Sequence, residues 1–87
     1  MTNVMLLTSY GCTPCLRVKR ILSELQTEMP GLCVEEVEFK SVSGSKLSIA
    51  NNVLYPPAVF LDGMLFAKGK IDAEKMIAAI RESNTQT

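Results

Sequence analysis

At 87 residues, 47% of them hydrophobic, the chain is long enough for one small domain with one core and too apolar to stay disordered. Nine basic and nine acidic residues cancel and are spread along the sequence, which speaks against the basic stripe of a nucleic-acid binder. No apolar run approaches the roughly 20 residues that a membrane span needs, and Met1-Thr2-Asn3 has no basic segment of the kind that opens a secretory signal.

Taken in order, Val4 to Thr8 reads as a strand whose near-continuous apolar character predicts burial on both faces, as in a central parallel strand. Gly11 allows the backbone to turn. Thr13 and Pro14 open a helix, where proline is tolerated because the first N–H groups have no partner inside the helix. Cys15, Val18, Leu22, Leu25 and Met29 form its apolar stripe, and Pro30-Gly31 stops it. Arg17, Lys19 and Arg20 read as the solvated face of the same helix.

Cys33 to Phe39 alternates in part and predicts a strand at or near an edge, so that strand, helix and strand make a βαβ unit with parallel strands. Ser41 to Ser45 reads as a polar loop and Lys46 to Asn52 as a short helix. Ala58 to Leu61, Asp62-Gly63 and Met64 to Ala67 read as a strand, a tight turn and a returning strand, with Gly69 ending the hairpin. Asp72 is placed to cap a last helix, with Ile71 and Met76 as a hydrophobic staple; from Ser83 the tail is polar and expected to fray. The expectation is a single α/β domain over residues 1–87, in the order β-α-β-α-β-β-α, with a four-stranded mixed sheet and three helices.

Cys12 and Cys15, two residues apart, fall where the first strand gives way to the first helix. A thiol there faces unpaired N–H groups and the positive end of the helix dipole, which favour the reactive thiolate. Cys12 is therefore the candidate nucleophile and Cys15, one turn inside, the resolving thiol. The same spacing serves metal knuckles, but four ligands are needed and this chain has no histidine and only one further cysteine, Cys33. A metal shared between two chains stays a weaker alternative, and no metal ligand is assigned within one. Cys33 itself reads as a small buried apolar residue. Three cysteines, an odd count with one close pair, do not make a secreted disulfide framework, so the expected compartment is the cytoplasm.

Cys12-Thr13-Pro14-Cys15 after the first strand, Pro57 just before the third, and Gly69 to Asp72 entering the last helix follow one another over nearly the whole length. In this the chain resembles the thioredoxin/glutaredoxin superfamily, and Pro57-Ala58-Val59-Phe60-Leu61-Asp62-Gly63 looks more like glutaredoxins. The resemblance implies a thioredoxin-like fold and a small thiol–disulfide oxidoreductase. It implies a redox-active Cys12–Cys15 disulfide, no bound cofactor, and a cis peptide at Pro57 packed against the cysteines. Tyr10, Gly11, Thr13 and Pro14 on one side, and Pro56, Gly69 and Asp72 on the other, become candidate substrate contacts. Expected partners are a disulfide-containing protein and an upstream reductase or glutathione, with the chain a monomer or a weak homodimer paired through an edge strand.

The chain also departs from that pattern. It has no tryptophan before the first cysteine, Gly11 standing there, and Leu6 occupies the place of a buried aspartate. Pro56 lacks the N–H with which the residue before the cis-proline holds substrate. These losses keep open a second function class, a redox-switched binding module on the same fold.

Overall fold

The computed structural model describes residues 2–85 of the chain. Its elements are β1 (Asn3–Thr8), α1 (Thr13–Glu28), β2 (Cys33–Glu38), α2 (Val42–Ala50), β3 (Ala58–Leu61), β4 (Met64–Lys68) and α3 (Ala73–Thr85). The four strands form one sheet in the order β2-β1-β3-β4. β1 pairs with β2 in parallel, Leu7 opposite Val37, and with β3 antiparallel, Leu6 opposite Val59. β3 and β4 make an antiparallel hairpin. This is the expected α/β architecture of a mixed sheet with three helices.

Because β1 lies inside the sheet, its side chains alternate between two cores. Val4 and Leu6 pack with Val18, Leu22 and Leu25 of α1 and with Met76 and Ile80 of α3. On the other face, Leu7 packs with Val37, Val53, Ala58 and Phe60, and Leu47 of α2 covers them. The continuous apolar run of β1 thus follows from burial on both sides. β2 is an edge strand, and Glu35, Glu36 and Glu38 along it are exposed.

The Asp62-Gly63 turn has φ values of 48° and 87°, the paired positive φ of the tight hairpin that an Asp-Gly sequence favours. Asp62 also fastens this turn to two other elements. Its Oδ1 accepts from the Asn3 N–H at 2.8 Å and its Oδ2 from the Ser83 hydroxyl at 3.2 Å. At the start of α3, Asp72 Oδ1 accepts from the Lys75 N–H at 3.1 Å, and Ile71 and Met76 join the same core, so cap and staple stand as expected.

Three expectations change. α2 begins at Val42, so most of the stretch read as a polar loop is helix. Ser41 caps it, its Oγ accepting from the Gly44 N–H at 3.0 Å. Gly44 is buried inside α2, where a Cβ would collide with the Glu38 carbonyl oxygen; the glycine permits close approach and does not mark a loop. Cys33 is exposed, not buried. It opens the edge strand opposite Asn3, which is also exposed, and belongs to neither core. Finally, Ser83 is helical and held by hydrogen bonds to Thr2 and Asp62 where fraying was expected. Residues 86 and 87 of that tail lie outside the described residues.

Candidate active site

The site forms where β1 ends and α1 begins. Gly11 adopts φ 77°, a left-handed conformation that most side chains disfavour, and turns the chain into the helix. Cys12 is the N-cap of α1, with φ −84° and ψ 107°, and its Sγ accepts a hydrogen bond from the Cys15 N–H at 3.1 Å. Thr13 and Pro14 fill the first helical positions, as expected from the missing proline N–H. Cys12 and Cys15 form a disulfide with a Cα–Cα separation of 5.2 Å.

The two sulfurs differ in access. Cys15 is 1% exposed, whereas Cys12 is only half-buried. An incoming disulfide therefore reaches Cys12, and the same sulfur receives an N–H from the helix start. Cys12 is thus the sulfur open to approach and Cys15 the enclosed one.

Beside the dithiol loop runs a groove of about 410 Å³ between the first two turns of α1 and the segments Tyr55–Pro57 and Gly69–Ile71. Pro57 is fully buried and follows a cis Pro56-Pro57 peptide, and its carbonyl accepts from the Gly69 N–H at 2.8 Å. That bond ties the proline loop to the segment entering α3. Gly69 has φ 73°, and a Cβ there would come within 3.2 Å of the Tyr55 hydroxyl, so the glycine leaves room for the Tyr55 ring.

Three of the candidate contacts, Pro14, Pro56 and Gly69, come together in this groove with Pro57. The others lie elsewhere. Gly11, on the loop, and Thr13, at the start of α1, are exposed, and Tyr10, fully exposed, lines a separate cleft with Lys19 and Glu36. Asp72 stands outside the groove lining, its carboxylate engaged as the α3 cap. Neither Glu36 nor Leu6 supplies an acid beneath the disulfide: Glu36 pairs with Lys19 at 3.0 Å, and Leu6 is fully buried in the core. Among the described residues, no group of three or more His, Cys, Asp or Glu could hold a metal ion, and no helix is long and apolar enough to cross a membrane.

The groove also holds Arg17, read from the sequence as part of a solvated helix face, together with Ile21, Tyr55 and Lys70. A signal for Arg17 was present. Pro14, Arg17, Val18 and Ile21 follow the i, i+3, i+4, i+7 spacing of one helix face, so the charge belongs to the stripe facing the groove. Neither Arg17 nor Lys70 has an ion-pair partner among the described residues, which leaves two cations beside the dithiol.

No protein-family profile matches the sequence, and no curated protein matches it. Solved structures do match. Oxidised thioredoxin O2 from Arabidopsis thaliana aligns over 94% of this chain and 74% of its own, with 19% identity and a TM-score of 0.72. Oxidised mitochondrial thioredoxin 3 from Saccharomyces cerevisiae aligns over 93% and 77%, with 19% identity and a TM-score of 0.71. Thioredoxin f2 from Chlamydomonas reinhardtii aligns over 94% and 78%, with 20% identity and a TM-score of 0.71. The chain has the thioredoxin fold. It carries its disulfide at the junction of the first strand and the first helix of that fold.

Proposed function

We propose that the chain is a small thiol–disulfide oxidoreductase that reduces disulfides in protein or small-molecule substrates. The observation that carries this reading is the asymmetric cysteine pair: a half-buried Cys12 sulfur bonded to the helix N-terminus, and a buried Cys15 one turn away. Hydrogen bonds from N–H groups and the helix dipole stabilise a thiolate more than a thiol, so Cys12 in the dithiol form is the activated sulfur.

In the forward reaction the Cys12 thiolate attacks one sulfur of a substrate disulfide, forming a mixed disulfide and expelling a first thiolate, which takes up a proton. Cys15 then attacks Cys12 Sγ, the Cys12–substrate bond breaks, and the second substrate thiol leaves with the Cys15 proton. Two electrons pass from the dithiol to the substrate and the Cys12–Cys15 disulfide remains. A two-electron donor, either two molecules of glutathione, which leave as glutathione disulfide, or an upstream reductase, must return the pair to the reduced form.

Arg17 and Lys70 support substrates that carry a carboxylate close to the disulfide, glutathione disulfide among them. Pro56 offers no N–H for backbone pairing, so charge takes a larger share of recognition. The cytoplasmic placement of this activity is proposed from cysteine usage alone.

The test is disulfide reduction by the whole protein, with glutathione and a thioredoxin reductase compared as donors and with Cys12→Ser and Cys15→Ser beside it. Loss of turnover in Cys12→Ser is expected, and full turnover in both single variants would overturn the enzyme reading. In that event the second reading, a redox-switched binding module, gains from the fully buried Leu6 where an acid would assist proton transfer.

A further inference from the structure

The groove beside the dithiol does not end at Tyr55. A second hollow, of about 230 Å³, is walled by Asn52, Leu54, Tyr55, Lys68 and Gly69, so Tyr55 and Gly69 belong to both. Three contacts hold it in shape. The Lys68 ammonium donates to the Asn52 carbonyl at 2.7 Å, the Gly69 N–H donates to the Pro57 carbonyl at 2.8 Å, and the Tyr55 ring lies across Gly69. The loop from Asn52 to Pro57 is thereby tied at both ends to the end of β4. Its outer side chains stay open, Leu54 at 81% exposure and Tyr55 at 63%.

Charge sets these two hollows apart. Arg17 and Lys70 line the first and Lys68 the second, and among the described residues no acid lines either. The cleft that Tyr10 lines instead sets Glu36 and Glu38 against Lys19. Lys68 spends one of its three N–H donors on Asn52 and keeps two for an incoming anion. A ligand that delivers its sulfur to Cys12 and also fills the second hollow is a chain long enough to cross Tyr55. To match the walls it brings an apolar group to Leu54 and negative charge to Lys68. Pro56 offers that chain no N–H, so side-chain contacts carry its register.

We infer that the second hollow is a substrate subsite for an acidic protein segment that carries an apolar side chain a few residues from its disulfide. Leu54 and the Tyr55 ring receive the apolar side chain, and Lys68 joins Arg17 and Lys70 in meeting the acids. Glutathione disulfide, whose carboxylates lie close to the sulfur, meets Arg17 and Lys70 alone. Leu54 and Lys68 thus determine specificity, favouring a protein over a low-molecular-weight disulfide. The chemistry at sulfur is unchanged: the substrate disulfide is reduced to two thiols as Cys12 and Cys15 are oxidised. The subsite rests on that exchange reaction, proposed above.

The test needs no electron donor. Reduced protein carrying Cys33→Ser, which removes the third thiol, is mixed with excess disulfide, quenched in acid and alkylated, so that closure of Cys12–Cys15 is read by intact mass. Three substrates are compared. One is the symmetric disulfide of a peptide of about eight residues, roughly 25 Å when extended, with leucine and aspartate in the half away from its cysteine. The second has serine and lysine there, and the third is glutathione disulfide. The acidic, apolar peptide is expected to react about tenfold faster than its basic counterpart at low salt. Leu54→Ser should raise the half-saturating concentration of that peptide about fivefold at an unchanged limiting rate, and move glutathione disulfide less than about twofold. Lys68→Gln, which keeps an N–H for Asn52, should raise it about threefold, the effect closing at high salt. Equal rates for the two peptides, or Leu54→Ser slowing glutathione disulfide as much as the peptide, would overturn the subsite and leave the exchange reaction standing. Slowing of the peptide as protein concentration rises, relieved by Leu54→Ser, would give this face to a second copy and overturn the subsite as well. Closure of Cys12–Cys15 with none of the three substrates would remove the exchange reaction and the subsite with it.

Discussion

α1 and α2 cover opposite faces of one sheet and are held there by different means. α1 buries Cys15, Val18, Leu22 and Leu25, and its sixteen residues rest on apolar area. α2, nine residues long, buries Gly44 and Ser48 and leaves Val42 and Ile49 75% and 81% exposed. Its grip comes from small residues and caps: the Gly44 backbone against the Glu38 carbonyl, and Ser41 accepting from Gly44 while donating to Glu38. A helix anchored by broad apolar contact can carry a reactive, solvent-facing first turn without depending on it for stability. One anchored by close backbone approach tolerates almost no added volume, and it contributes nothing to the groove.

The difference is open to attack from both sides. The largest effect belongs to the first turn of α1: Cys12→Ser is expected to abolish disulfide reduction, measured as turnover, while the reduced protein keeps its midpoint of thermal unfolding. Cys15→Ser should instead trap a substrate mixed disulfide on Cys12, visible by intact mass. A large drop in stability in Cys12→Ser would contradict a solvent-facing first turn independent of the anchor; Cys15, itself part of the buried face, is excluded from that comparison.

Next comes the anchor itself. Leu22→Ala removes a fully buried side chain and is expected to cost about 3 kcal/mol, read as a lower urea midpoint with unchanged slope. Gly44→Ala tests the other mode. Alanine is favoured over glycine in a free helix by about 1 kcal/mol, yet here the added methyl meets backbone, so a net loss of about 2 kcal/mol is expected. A gain in stability would show that α2 can retreat from Glu38. The smallest effect is on the groove face of α1: Arg17→Glu should slow reduction of a carboxylate-bearing disulfide about threefold relative to a neutral one, the gap closing at high salt.

Legibility in the sequence followed the same division. β1, α1, the Asp62-Gly63 hairpin and the start of α3 were readable because periodicity, turn chemistry and a cap each had one physical interpretation. α2 was not, since its fully buried positions are a glycine and a serine, Val42 and Ile49 face outward, and Leu47 is left to meet the core, far from the usual apolar stripe. The dithiol and the proline loop were recognisable from motif order, whereas Arg17 and Tyr55 depended on which segments the chain brings together. Cys33 misled because cysteine is usually buried, and its exposure follows from opening an edge strand.

That exposed position has a practical consequence. Cys33 pairs with Asn3 at the far end of β1 from Thr8, about 17 Å along the strand from the disulfide loop. While Cys12 and Cys15 are joined, the sequence contains no other thiol for a maleimide to modify. A dye or a surface tether attached there would leave the groove unobstructed, giving a handle for following turnover in single molecules.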